Sequence, residues 1–264
     1  MAGEYAVIET NLRHMMRFFS GASDAGELRE MPGVSIVSSG LDYGVLNSAA
    51  LSREVTGGQV ELERRIAIPE VHFRMRGLRW SYWVCEDMIE NPLRRRAKEI
   101  FLERGFRVLT EPPGMIAERL SPPARSLPPL EIRRVADPAS RFDFAHIVSV
   151  CFELPFQIAR ATYTREDVWQ GEVTGYVGYS GNTAVCTAAI TPAAGVIGVY
   201  SVGTLPDSRR RGYAEAIIRH AVAETSAQTG LERTILQSTR DGLSLYESMG
   251  YRTVTRFWVM TPFQ

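Results

Sequence analysis

The sequence lacks the features by which several broad classes of protein are recognised. Its 264 residues include 30 basic and 30 acidic side chains, so the formal net charge is zero, which argues against a general nucleic-acid-binding protein. No apolar run is long enough to span a bilayer, and residues 1–10 show no signal-peptide pattern. We therefore expect a cytoplasmic protein that binds neither nucleic acid nor membrane.

Cysteine is also scarce. Cys85, Cys151 and Cys186 are odd in number, lie far apart, and do not have the spacing of a metal site. This pattern favours three buried or neutral thiols in a reducing compartment. We expect no bound metal.

Proline, by contrast, is concentrated in one short stretch. Residues 121–129, named the proline segment below, contain four prolines and cannot continue a helix or pair centrally in a sheet. Such a stretch is typical of a semi-rigid, extended connector. It predicts a linker between two domains, residues 1–120 and residues 130–264.

The two predicted domains are similar where a helix gives way to a strand. Residues 100–107 and 245–252 both read as the end of a helix, a glycine, and an aromatic residue that starts a strand. Gly77 and Gly230 each precede a further predicted strand. We interpret these pairs as an internal duplication, although such joints also recur by chance in α/β proteins.

Hydrophobic periodicity, caps and turn residues predict the order of elements in both halves. In the N-terminal half we expect helices at 5–19, 59–76 and 92–103 and strands at 34–38, 44–49, 80–84, 106–111 and 115–120. In the C-terminal half we expect helices at 137–151, 208–229 and 242–249 and a weaker helix within 156–170. We expect strands at 130–135, 174–180, 184–191, 195–203 and 232–238, and one or two closing strands within 251–261. The first helix of that half is expected to be capped by Asp137.

The most informative motif joins a strand to the long helix of the C-terminal half. It reads Arg209-Arg210-Arg211-Gly212-Tyr213-Ala214 and is named the arginine turn below. The first turn of a helix presents backbone N–H groups without internal partners, at the positive end of the helix dipole. Because Gly212 and Ala214 have little or no side chain, an anion can approach these donors closely.

The pattern Arg-x-x-Gly-x-Ala in the arginine turn resembles the acyl-CoA motif of the GNAT superfamily of N-acetyltransferases. The order of elements over residues 130–264 is similar to that fold, and the N-terminal half resembles a degenerate second copy. The resemblance implies an α/β (α+β) protein of two domains, each a mixed, mostly antiparallel sheet flanked by helices. It implies transfer of an acetyl or short acyl group from acetyl-CoA, as co-substrate, to a small-molecule or peptide amine.

The same resemblance implies roles for individual residues. Tyr246 lies where many family members place a tyrosine that donates a proton to the departing thiolate. The strand before the arginine turn would bind the pantetheine arm, and the turn itself would bind the pyrophosphate. The implied donor-binding residues are Val202, Gly203, Thr204, Arg209, Arg210, Arg211, Gly212, Tyr213, Ala214 and Ser238.

Two departures from the family pattern limit these expectations. Residues 195–203 contain no acidic residue, so no general base is assigned; Glu153 and Glu172 are candidates that are more simply read as surface acids. In the N-terminal half, Phe101 takes the place of Tyr246 and no phosphate motif stands between a strand and a helix. We therefore expect a catalytically silent first half.

Several alternatives stay open at this point. A non-catalytic acyl-CoA-binding or interaction protein could keep the same fold. A nucleotide-binding module is disfavoured because the arginine turn lacks the Gly-Lys-Ser/Thr ending of a P-loop and the spacing of a dinucleotide fingerprint. The aromatic residues Trp80, Tyr82 and Trp83 are expected in the core, with the acceptor pocket as the other reading. A homodimer is allowed, and the acceptor is not identified.

Overall fold

A computed structural model describes residues 3–263 and contains seven α-helices, four short 3-10 helices and twelve strands in that range. The helices are α1 (Glu4–Arg17), α2 (Gly58–Arg76), α3 (Arg94–Glu103), α4 (Pro138–Cys151), α5 (Phe156–Tyr163), α6 (Tyr213–Thr229) and α7 (Leu243–Ser248). The strands are β1 (Glu27–Met31), β2 (Val34–Ser38), β3 (Ser48–Leu51), β4 (Ser81–Cys85), β5 (Phe106–Thr110), β6 (Pro113–Ala117), β7 (Glu131–Arg134), β8 (Thr174–Ser180), β9 (Thr183–Ala193), β10 (Val196–Thr204), β11 (Thr234–Gln237) and β12 (Arg252–Pro262).

The chain forms two compact units that each combine distant parts of the sequence. Unit 1 consists of residues 1–114 and 253–264, and unit 2 consists of residues 115–252. The expected boundary at the proline segment differs from this division in two ways. The last strand belongs to the first unit, and the proline segment lies inside the second.

Unit 1 is a mixed sheet with the strand order β1-β2-β3-β4-β12, and β5 also pairs with β12. Strands β3 and β4 are parallel, whereas β12 runs antiparallel to β4. The apolar residues Phe257 to Met260 of β12 are buried beside the equally apolar β4, which explains why this strand belongs to the first unit. The predicted aromatic core is confirmed for Trp80 and Tyr82, which are 5% and 0% exposed.

Unit 2 has the strand order β6-β11-β10-β9-β8-β7. Strands β7 to β10 form an antiparallel meander, and β10 runs parallel to β11 across the crossover helix α6. One apolar face of α6, including Ile217, Ile218 and Ala221, packs on the sheet and is fully buried. The mixed α/β fold predicted from the sequence is therefore confirmed.

Helix α4 begins as the sequence predicts. The Asp137 carboxylate accepts a hydrogen bond from Ser140 N at 2.8 Å, and Ser140 Oγ in return accepts one from Asp137 N at 3.1 Å. This capping box satisfies donors that the first helical turn leaves without partners.

Two elements begin clearly later than expected, and one strand was not predicted. Helix α6 begins at Tyr213 rather than Ser208, because the residues before it include left-handed backbone, as described below. Strand β3 begins at Ser48, because the Asn47 side chain holds the preceding residues in a loop by donating to Leu41 O and Arg79 O. The weaker helix expected within 156–170 is α5, and β1 was not predicted because four of its five residues are exposed.

The paired glycine joints form in both units. The parallel pair β3 and β4 is connected by α2, and the parallel pair β10 and β11 is connected by α6. Each of these helices ends at a left-handed glycine, Gly77 at φ 63° or Gly230 at φ 73°. These shared features fit the internal duplication, which stays a prediction.

Candidate active site

The candidate site lies in unit 2, where β10 separates from its neighbours. The register of β10 on β9 shifts between Tyr200 and Gly203, and Ser201 has a left-handed φ of 48°. Ser201 O accepts a hydrogen bond from Thr187 Oγ1 at 2.9 Å, which fixes this bulge to β9. A bulge of this kind bends a strand and leaves residues without a partner in the ladder.

On its other side, β10 pairs with β11 only near its start. The parallel register covers Ile197 with Thr234 and Gly198 with Ile235, although β10 continues to Thr204. The second half of β10 is therefore separated from β11. The opening is part of a cavity of about 790 Å³.

The arginine turn forms one end of this cavity. Arg210 has φ 62° and Gly212 has φ 87°, so two left-handed residues lie within three positions. Such alternation aims successive backbone N–H groups into one concave surface. The N–H groups of Gly212, Tyr213 and Ala214 donate to no acceptor in the described part of the chain. The turn therefore offers free donors at the positive end of α6.

The side chains of the arginine turn differ in their contacts and in their exposure. Tyr213 is 8% exposed, and its hydroxyl lies 3.0 Å from Ser180 Oγ, so this side chain anchors the turn in the core. Arg209 Nε donates to Thr204 O at 3.1 Å and braces the end of β10. Arg210 is exposed at the cavity, whereas Arg211 is exposed outside its lining.

Tyr246 of α7 lines the same cavity and is 8% exposed. Burial raises the pKa of its phenol to about 12, so the hydroxyl keeps its proton at neutral pH. Its ring packs edge-on against Tyr251 at a centroid distance of 5.8 Å. A protonated phenol held in this way is able to donate a proton to a leaving group.

Most of the predicted site residues meet at this cavity. Two of them, Arg211 and Ser238, do not line it; Ser238 is 1% exposed and its hydroxyl donates to Thr239 O. The predicted residues that do line it are Val202, Gly203, Thr204, Arg209, Arg210, Gly212, Tyr213, Ala214 and Tyr246.

The candidate bases do not join them. Glu153 and Glu172 are exposed and lie outside the lining. The acidic residues that do line the cavity are Glu215 and Asp241. Glu215 Oε1 is already paired with Arg219 Nε at 2.9 Å, so it is not a free carboxylate.

Among the lining residues that sequence reasoning did not assign to the site are Arg125 and Cys151. Cys151 approaches the bulge so closely that a methyl group on Gly203 would lie 3.1 Å from its Sγ. Burial raises the pKa of this thiol, while the Arg209 guanidinium opposes the shift. No local pattern identifies these residues, because each reaches the cavity through the packing of a different element.

Comparison with known proteins agrees with this geometry. Residues 162–253 match the family model described as an acetyltransferase (GNAT) domain, which covers the bulge, the arginine turn and Tyr246. No curated protein matches the chain significantly. A GNAT domain supports acyl transfer as the type of reaction.

Solved structures show the same fold over the whole chain. A GCN5-related N-acetyltransferase from Kribbella flavida has a TM-score of 0.73 at 18% identity, covering 100% of this chain and 97% of its own. A GCN5-related N-acetyltransferase from Sphaerobacter thermophilus has a TM-score of 0.58 at 17% identity, covering 86% and 75%. A conserved protein of unknown function from Staphylococcus epidermidis has a TM-score of 0.60 at 14% identity, covering 93% and 98%. The chain therefore has the fold of GNAT acetyltransferases, with the matched acetyltransferase domain at residues 162–253.

Proposed function

We propose that unit 2 is an N-acyltransferase that moves an acetyl or short acyl group from coenzyme A to an amine. The observation that carries the proposal is the row of free N–H groups at Gly212, Tyr213 and Ala214, facing a cavity that also contains Tyr246. Free donors at a helix N-terminus favour a diphosphate, and the separated edge of β10 suits an extended pantetheine arm.

The residues of the chain fit such a donor. Gly212 leaves room for a phosphate beside the backbone, and the unpaired strand around Val202 offers main-chain groups to an amide-bearing arm. The thioester supplies the activated acyl group. The amine nitrogen attacks the thioester carbonyl, the carbon–sulfur bond breaks, and the Tyr246 hydroxyl gives its proton to the departing sulfur. The nitrogen releases its own proton to solvent, and the Tyr246 phenolate regains a proton from solvent, since its raised pKa of about 12 favours the protonated phenol.

We assign this activity to unit 2 alone. In unit 1, the backbone N–H groups at the start of the crossover helix α2 are already bound by a side chain of the same unit. At the start of α2, the N–H groups of Thr56 and Gly57 donate to Glu61 Oε2 at 3.1 and 2.5 Å. Burial favours a raised pKa for Glu61, but Gly57 N–H and the Arg65 guanidinium outweigh it and lower this pKa. A carboxylate thus occupies the donors that an external phosphate would need.

The experiment is a free-thiol assay with acetyl-CoA and a panel of amines. Wild-type protein is expected to release CoA thiol in an amine-dependent manner, and Tyr246→Phe is expected to keep acetyl-CoA binding while kcat falls roughly a hundredfold. Tyr251→Phe is the matched control, since this tyrosine is also buried but lies outside the cavity lining.

Two results would contradict the proposal. Binding of acetyl-CoA without thiol release for any amine would favour the non-catalytic reading. Unchanged turnover in Tyr246→Phe would remove this residue from the mechanism. Calorimetric titration tests the silent first half separately, since one acetyl-CoA per chain is expected and two would refute the assignment to unit 2 alone.

A further inference from the structure

The proline segment is not a free linker within unit 2. At one end, Ser121 N donates to Met249 O at 2.9 Å, directly after α7. At the other end, Leu130 packs on the core of the unit, so close to β8 that a methyl group on Gly178 would lie 2.8 Å from Leu130 Cδ2. Both ends of the segment are therefore fixed to the unit that contains the cavity.

Between these ends, the segment lies against the arginine turn. A methyl group on Gly212 would lie 3.2 Å from Pro128 Cδ and 3.8 Å from Arg125 Nη2. Arg125 also lines the cavity. The guanidinium thus lies beside the free N–H groups of the turn, although it belongs to a distant part of the sequence.

The Arg125 side chain is available to a ligand. It is exposed and makes no hydrogen bond or ion pair within residues 3–263. Arg119, another exposed arginine of unit 2, is by contrast already engaged, since its Nε and Nη2 donate to Glu232 at 2.9 and 2.7 Å. An unpaired guanidinium matches the geometry and charge of a phosphate group.

The prolines explain how an exposed arginine can be held in place. Pro122 and Pro123 precede Arg125, and Pro128 and Pro129 follow it, each with a restricted φ. Such a segment has little backbone freedom left to lose when a ligand binds. The backbone on both sides of Arg125 is therefore restricted before any phosphate arrives.

Building on the proposed function, we propose that Arg125 is a phosphate-binding residue of the acyl donor, so that the proline segment completes the donor site. Arg125 binds a phosphate of coenzyme A that also faces the arginine turn. The segment thereby selects the phosphorylated donor over the bare pantetheine thioester.

The test compares Arg125→Ala with wild type on three donors: acetyl-CoA, acetyl-dephospho-CoA, and S-acetylpantetheine, which has no phosphate. We expect KM for acetyl-CoA to rise roughly tenfold with kcat unchanged, because the substitution removes one charge-assisted hydrogen bond at an exposed site. The value of kcat/KM for S-acetylpantetheine should not change. Arg125→Lys should restore part of the loss, and the effect should shrink at high salt.

The three donors together show which phosphate Arg125 binds, or that it binds none. A loss with both acetyl-CoA and acetyl-dephospho-CoA places Arg125 at the pyrophosphate, and a loss with acetyl-CoA alone places it at the 3′-phosphate. An unchanged KM, or an equal loss on S-acetylpantetheine, would overturn the inference. Arg119→Ala is the control and should match wild type on all donors. If wild type itself neither binds nor uses acetyl-CoA, the proposed function fails, which is distinguishable from a failure of Arg125 alone.

Discussion

Gly212 provides the sharpest test of the donor site, because helix α6 has a left-handed glycine at each end. Gly212 has φ 87° before the helix and Gly230 has φ 73° after it. An L-residue in this conformation costs about 1–2 kcal/mol. Gly230→Ala should therefore lower the free energy of unfolding by about this amount, and Gly212→Ala by at least as much, because its methyl group would also lie 3.2 Å from Pro128 Cδ. Only the change at Gly212 alters the cavity.

Aspartate at the same two positions separates charge from strain. A carboxylate about 4 Å from a phosphate charge costs about 4 kcal/mol at an effective dielectric constant of about 20. Solvent at the exposed mouth reduces this to about 2 kcal/mol, which is roughly thirtyfold in Kd. Gly212→Asp should weaken acetyl-CoA binding at least to this extent, whereas Gly230→Asp should leave it unchanged.

The assay is isothermal titration with acetyl-CoA, together with urea unfolding of all four variants. A loss of stability in both alanine variants, with loss of acetyl-CoA binding confined to the changes at Gly212, is the expected pattern. If Gly212→Asp binds acetyl-CoA as tightly as wild type, the arginine turn does not hold the donor phosphates and the reasoning is refuted.

Three other predictions concern stability and pH. Asp137→Ala should lower the free energy of unfolding by about 1 kcal/mol by removing the cap of α4, and an unchanged urea midpoint would contradict this. Burial raises the pKa of Glu9 to about 7 despite its ion pair with Arg13. Since the folded pKa exceeds the unfolded one, this stabilisation is complete below about pH 4 and is lost as pH rises through 7. Relative to Glu9→Gln, wild type should lose about 3 kcal/mol between pH 4.5 and 8, as measured by urea unfolding across that range; parallel profiles would refute it. Because the pKa of Tyr246 is raised to about 12, kcat should show no loss from its ionisation below pH 10, and a basic limb that disappears in Tyr246→Phe would contradict this.

The sequence predicted the elements whose apolar residues follow a clear period. The observed first and last residues are within two positions of the predicted ones for helices α1, α2 and α4 and for strands β2 and β8. Edge strand β1 was missed because its charged, exposed residues carry no such signal. The start of α6 was placed too early because the left-handed conformation of Arg210 is not encoded by its residue type.

The local part of the site was visible in the sequence, and its tertiary part was not. The glycine, alanine and tyrosine of the motif have chemistry that a short pattern can display. Arg125 becomes relevant only because Pro128 packs on Gly212, and Glu61 only because its side chain turns back to Thr56 and Gly57. Both contacts depend on where the chain folds back, which periodicity does not report.

The assignment of β12 to unit 1 has a consequence for how this protein can be divided. Cutting at the proline segment would give a C-terminal fragment without β6 but with β12, an apolar strand whose partner β4 is then missing. Such a fragment would expose the unpaired edge of β11 and the apolar, unpaired strand β12, and this combination promotes aggregation. Neither half is an independent module, so recombination between relatives would have to exchange both halves together.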